Sequence, residues 1–111
     1  MRFADTDGNR RTAADPAWTP LSATPADPSY PGAHSALSAA ASEVLTALYG
    51  DVSFALTSPA LPGVTRTFRS FHDAAVEAGL SRIYAGVHTR VDHRAGFVLG
   101  SQVGSYVLRS R

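Results

Sequence analysis

A chain of 111 residues with ten basic and nine acidic side chains is sized for one small domain, and its net charge of +1 leaves no electrostatic footprint for nucleic acid. It contains no cysteine, which excludes disulfides and thiolate metal sites, and no lysine, so every basic side chain is an arginine suited to planar contacts with oxyanions. No stretch reaches the roughly 18 apolar residues of a membrane span, and the polar start Met1–Arg11 does not read as a signal peptide, so localisation stays open.

The first third of the chain, residues 1–33, holds Pro16, Pro20, Pro25, Pro28 and Pro31 together with the turn signal Asp7-Gly8-Asn9. Prolines at this density forbid a helix and would interrupt a sheet ladder, which predicts an extended loop. Trp18, Leu21 and Tyr30 are the side chains able to pin that loop onto another surface. From residue 34 the pattern becomes helical, so the expected division is a Pro-rich segment over 1–33 and a helical unit over 34–111.

Leu37, Ala40, Ala41, Val44, Leu45 and Leu48 recur at helical spacing and predict a helix from Ser35 to Tyr49, stopped by Gly50. Val52, Phe54 and Leu56 alternate with polar or small residues, turn chemistry follows in SPALPG, and VTRTF alternates again, which predicts a small β-hairpin. Ser70 can cap a helix ending at Gly79, with another helical stretch from about Ser81. A last helix is expected from about Ala95 to Leu108. It carries Gly96, Gly100 and Gly104 on one face, each costing about 1 kcal/mol relative to alanine, which points to a neighbouring helix backbone at close range. The fold class is therefore all-α with a small hairpin and a long loop at the start.

Two clusters could carry chemistry. His34 stands where the loop becomes a helix, and a helix start offers unpaired N–H groups to an anion. An imidazole there can exchange a proton with a bound oxygen, and it can equally be a polar residue near a helix end. In SRIYAGVHTRVD, His88 and Asp92 are four residues apart, which on a helix puts them in contact. A carboxylate so placed can fix the imidazole tautomer and leave the other nitrogen as nucleophile or ligand; an exposed ion pair is the plainer reading. Arg82, six residues earlier, would lie about 120 degrees away on a continuous helix, so it converges with His88 only if the helix breaks, and Gly86 offers the place. His72 and His93 are expected to face solvent, although His93, beside Asp92, could tune that carboxylate.

The combination is more specific than its parts. Pro31-Gly32-Ala33-His34, followed by Ser81-Arg82, five residues, His88, three residues and Asp92, resembles the vanadium-dependent haloperoxidase and type 2 phosphatidic acid phosphatase superfamily. The surrounding AGVHTRVDHRAGFVLGSQVGSYVL looks like its bacterial soluble haloperoxidase-like branch. The resemblance implies the C-terminal part of a helical bundle. It implies that His88 is the nucleophile of a phosphatase or the metal ligand that holds vanadate in a haloperoxidase. Asp92 would orient His88, Arg82 would bind the oxyanion together with the Gly32–Ala33 backbone, and His34 would be the general acid–base. Vanadate would be the cofactor of a haloperoxidase, whereas a phosphatase would need none. The partners implied are small molecules, a halide with peroxide or a phosphate monoester, with a homo-oligomer left open.

The chain departs from the family pattern in three ways. Gly32 replaces a serine and Ala33 replaces a glycine, which removes a hydroxyl donor and crowds the approach to the backbone. The lysine and second arginine of the family's first motif have no counterpart. The expectation is an incomplete oxyanion site with weak or no turnover in this chain alone, as in a truncated reading frame. The alternative is a non-catalytic helical remnant or interaction protein.

Overall fold

The computed structural model describes residues 8–110. These form helix α1 (Ala33–Tyr49), strands β1 (Phe54–Ser58) and β2 (Leu61–Phe68), and helices α2 (Phe71–Tyr84) and α3 (Arg90–Arg109). The strands make one antiparallel hairpin, so the molecule is helical with a small β appendage, as its periodicities predict.

Residues 8–32 contain turns and bends but neither helix nor strand; the loop expected over residues 1–7 lies outside the described residues. The loop is held by its backbone and by one ring. The N–H groups of Leu21 and Ser22 donate to the carbonyl of Ala85 at 3.0 and 3.3 Å, and Trp18, half-buried, lies with Pro20 against Gly86. Leu21 and Tyr30, expected to pin the segment, are 87% and 61% exposed. A cis Tyr30–Pro31 peptide leads into α1.

The α1–α3 contact is the largest in the fold and rests on missing side chains. A Cβ at Gly96 would collide with the carbonyl of Gly32, one at Gly100 with the carbonyl of Ala36, and one at Gly104 with Ala40 and Glu43. The glycine stripe of α3 thus lies directly on the backbone of α1, as its spacing predicts. That contact selects which face of α1 turns inward. The buried residues of α1 are Ser35, Ala39 and Ser42, whereas Leu37 and Leu48 of the expected apolar face are 74% and 52% exposed. Large side chains have no room between backbones this close, so the small-residue face packs and the leucines point away.

Two helix boundaries differ from expectation by five residues each. Helix α2 does not end at Gly79 but runs on to Tyr84, because Gly79 is a buried packing position and not a cap: a Cβ there would sit 2.7 Å from Ser35 Oγ and against the His93 ring. The two helices expected on either side of Gly79 are one, started by the Ser70 hydroxyl accepting from the N–H of Asp73. Helix α3 begins at Arg90, before Ala95, because Thr89 and Asp92 form a capping box.

The hairpin pairs Phe54 with Phe68 and is irregular between Thr57 and Ser58. Strand β2 takes in Pro62 and Gly63, which the sequence assigns to the turn. It is tied to α2 through Arg66, whose Nε donates to Glu77 at 3.1 Å, and through Phe54, which packs on Phe68 and Phe71 at ring distances of 5.5 and 5.1 Å. A groove of about 770 Å³ between hairpin and helices is lined in part by Leu45, Phe54, Leu56, Phe68 and Phe71.

The buried apolar residues are Ala39, Ala75 and Val87, and no large side chain among the described residues is fully buried. Val91, Val98, Val103 and Tyr106 stand exposed along α3. Among the described residues no helix is long and apolar enough to cross a membrane.

Candidate functional site

The turn between α2 and α3 positions the first two residues of interest. The helix stops at Ala85, and Gly86 takes φ +77, a left-handed conformation that glycine adopts without a Cβ penalty. The chain then folds back so that the Arg82 carbonyl accepts from the N–H groups of both Val87 and His88, at 3.1 and 3.2 Å. The break that convergence of Arg82 and His88 requires is therefore present, at Gly86.

His88 itself is not helical, contrary to the face-sharing argument from its four-residue spacing to Asp92. It lies just outside the N-cap Thr89, and its Nδ1 stands 3.7 Å from Asp92 Oδ2, beyond hydrogen-bond length. The same carboxylate oxygen accepts the N–H of Thr89 at 2.8 Å. Asp92 therefore closes the cap of α3 and presents negative charge to one edge of the His88 ring; Asp92 is buried and His88 largely so, at 8% and 11% side-chain exposure.

The third residue arrives with α1. The N–H of Gly32 donates to the Asp92 carbonyl at 2.9 Å, joining the start of α1 to the first turn of α3. This commits the Gly32 amide, so of the pair expected to offer backbone donors, Ala33 at the first helical position is the one whose N–H has no partner inside its own helix. His34 follows, exposed. Partial desolvation of the ring on its inner side, then the Arg82 guanidinium and the His88 ring, hold its pKa below the usual 6.5. That coupling ties the three side chains electrostatically, although they come from three separate stretches of chain.

Two polar atoms in this cluster are left over. Arg82 Nε and His88 Nδ1 are buried with no hydrogen-bond partner among the described residues. A buried, unpaired guanidinium nitrogen is costly, and an oxyanion is the ligand class that would satisfy it. Among the described residues no group of three or more His, Cys, Asp or Glu could hold a metal ion.

His93, expected to face solvent, is half-buried and hydrogen-bonded, with Nδ1 2.8 Å from Ser35 Oγ. Burial first, then Arg90 and Arg94, lowers its pKa from 6.5. Only Gly79, a packing glycine read as a helix stop, could have signalled this pair in the sequence. His72 is exposed as expected, edge-on to Phe97 at 5.3 Å.

The family model of the VCPO second helical-bundle domain matches residues 2–111. The chain belongs to the vanadium haloperoxidase superfamily. Within it, the chain resembles the crystal structure of the first bacterial vanadium-dependent iodoperoxidase, with 38% sequence identity and a TM-score of 0.81 over 87% of this chain. It spans 24% of the length of that structure. No curated protein matches it. The haloperoxidase assignment accounts for the fold: a helical bundle whose glycine-lined helix contact brings the two family motifs, around His34 and around Arg82 to Asp92, to the same end.

Proposed function

We propose that this chain carries part of a haloperoxidase-type oxyanion site built from His34, Arg82, His88 and Asp92. The observation that carries the reading is that Arg82 Nε and His88 Nδ1 are both buried with no hydrogen-bond partner among the described residues. The Asp92 carboxylate is occupied at the helix cap and leaves Arg82 Nε without an acceptor among the described residues, which a tetrahedral or trigonal-bipyramidal oxyanion would supply.

In this reading His88 is the ligand to vanadate. Its Nδ1 edge faces the Asp92 carboxylate at 3.7 Å, which leaves Nε2 for the ligand. Arg82 neutralises the oxyanion with charge-assisted hydrogen bonds, and the Ala33 N–H at the start of α1 adds a backbone donor. Gly32 serves by joining the helix starts and not as a donor. His34, neutral near pH 7 because its pKa is low, accepts or returns a proton at the anion's outer oxygen. The chemistry that vanadate supplies when bound is Lewis-acid activation of a peroxide toward a halide. Iodide is the halide named for the iodoperoxidase resembled here.

These 111 residues supply no lysine to the cradle, and we expect this chain alone to bind the anion with little turnover. Vanadate titrated into the protein and followed by vanadium NMR tests the proposal. Arg82→Ala and His88→Ala should each weaken binding about tenfold or more, since a hydrogen bond to a charged group contributes about 1.5–3 kcal/mol. Binding unchanged in both variants would remove the site. Failure of vanadate and phosphate alike to bind the unmodified chain would favour a non-catalytic helical protein.

A further inference from the structure

The starts of α1 and α3 are joined twice, and only one joint is made by side chains. The backbone joint is the Gly32 N–H to the Asp92 carbonyl at 2.9 Å. The side-chain joint is Ser35 Oγ to His93 Nδ1 at 2.8 Å. Each member of the second pair is the immediate neighbour of a residue of the first cluster: Ser35 follows His34, and His93 follows Asp92.

The surroundings fit this pair closely. Ser35 is 2% exposed, so its hydroxyl must find a partner within the protein. Gly79 on α2 lies over the pair, and a Cβ there would fall 2.5 Å from the His93 ring carbon Cε1 and 2.7 Å from Ser35 Oγ. Three helices thus meet at one hydrogen bond, with α2 giving up a side chain to make room. The alternative partners for a buried serine in a helix are backbone carbonyls one turn back, as Ser42 and Ser81 choose here. The carbonyl at the same offset behind Ser35 is that of Gly32, which accepts the Ala36 N–H at 3.0 Å, and the Ser35 hydroxyl bonds across the interface instead.

We propose that Ser35 and His93 form a latch that sets the spacing between the helix starts carrying His34 on one side and His88 with Asp92 on the other, making them positioning residues for the oxyanion site. Neither touches the anion. With the His93 ring neutral and its proton on Nε2, the Ser35 hydroxyl donates to Nδ1. A positioning pair of this kind acts through the geometry of the groups it holds, as outer-shell partners of ligands do. The functional consequence rests on the oxyanion-site reading above; the latch itself does not.

Amide hydrogen exchange and vanadate binding on the whole chain test it together. Ser35→Ala and His93→Leu each break the bond, and His93→Asn keeps an acceptor near the position of Nδ1. Breaking the latch should speed exchange at the Gly32 amide by about three- to tenfold, the equivalent of one net hydrogen bond, while the Ala75 amide in α2 keeps its rate. Vanadate affinity should fall about tenfold in the same two variants and recover in His93→Asn. Exchange that rises equally at Gly32 and Ala75 would mean mere destabilisation and would overturn the latch, as would His93→Asn behaving like His93→Leu. Should the unmodified chain take up no vanadate, the oxyanion reading falls, and the Gly32 exchange rate still decides whether the latch exists.

Discussion

One carboxylate oxygen of Asp92 accepts the Thr89 N–H at 2.8 Å while standing 3.7 Å from His88 Nδ1. The residue that starts α3 is therefore the residue that faces the imidazole, and its two tasks can be separated by substitution. Asp92→Asn retains an oxygen for the Thr89 N–H and should leave thermal stability nearly unchanged while weakening vanadate binding. Asp92→Ala loses the cap as well and should cost about 1 kcal/mol, read as a lower midpoint in urea unfolding. Equal stability of the two variants would show that the cap bond contributes nothing.

The glycine stripe makes a steric prediction. A Cβ at Gly100 has nowhere to go, since it meets the Ala36 carbonyl of the facing backbone. Gly100→Ala should destabilise by about 1–3 kcal/mol or more through overpacking, even though alanine is the better helix former. A midpoint that rises in denaturant melts would mean that α1 and α3 separate easily.

Trp18 is the chain's single tryptophan and lies against Gly86, where a Cβ would come within 3.0 Å of its ring. Gly86 also has φ +77, so alanine there is strained for two reasons. Gly86→Ala should release the loop from the α2–α3 turn. The Trp18 emission maximum should shift to longer wavelength, and vanadate affinity should fall because the Arg82–His88 turn is disturbed. An unshifted emission maximum would place the ring elsewhere.

His34 and His93 both have folded pKa values below 6.5. For each, the unfolded state binds more protons than the folded state near that pH, so stability rises with pH there. At pH 8 both rings are neutral in both states and contribute nothing; as pH falls through 6.5, the unfolded state gains protons first and stability declines. The decline levels off below the folded pKa values. NMR titration should find both rings titrating below 6.5, and bound vanadate should raise the His34 value because an anion favours the imidazolium. A His34 value that stays put with vanadate bound would put the anion out of its reach.

Exposed apolar residues make the last prediction. Val91, Val98 and Tyr106 are 67%, 59% and 67% exposed on α3, and contiguous apolar surface of this kind is a liability in water. Sedimentation should show concentration-dependent association of the isolated chain, reduced in Val98→Asp. A strictly monomeric protein at all concentrations would show that the exposed residues form no adhesive patch.

The helical class, the hairpin and the glycine contact were legible in the sequence because each leaves a periodic trace: spacing of three and four in α1, alternation around Phe54 and Phe68, and glycines every fourth residue in α3. The candidate site residues were nominated by the resemblance of their two clusters, taken together, to the family motifs. The inward face of α1 was not, because apolar periodicity nominates leucines, whereas contact between backbones selects Ser35, Ala39 and Ser42. Gly79 misled for a related reason: a glycine that ends a helix and one that makes room for a neighbour look alike until the neighbour is placed.

Residue identities settle which chemical groups are present: two imidazoles, a guanidinium and a carboxylate in a spacing like that of the haloperoxidase motifs, with cysteine and lysine absent. Folding is what takes His88 out of the helix, commits one Asp92 oxygen to a cap bond while it faces an imidazole, and joins Ser35 to His93 across 58 residues. Local spacing constrains what one turn can reach, but where two helices touch depends on side chains removed from both, and that relationship exists only once the chain has folded.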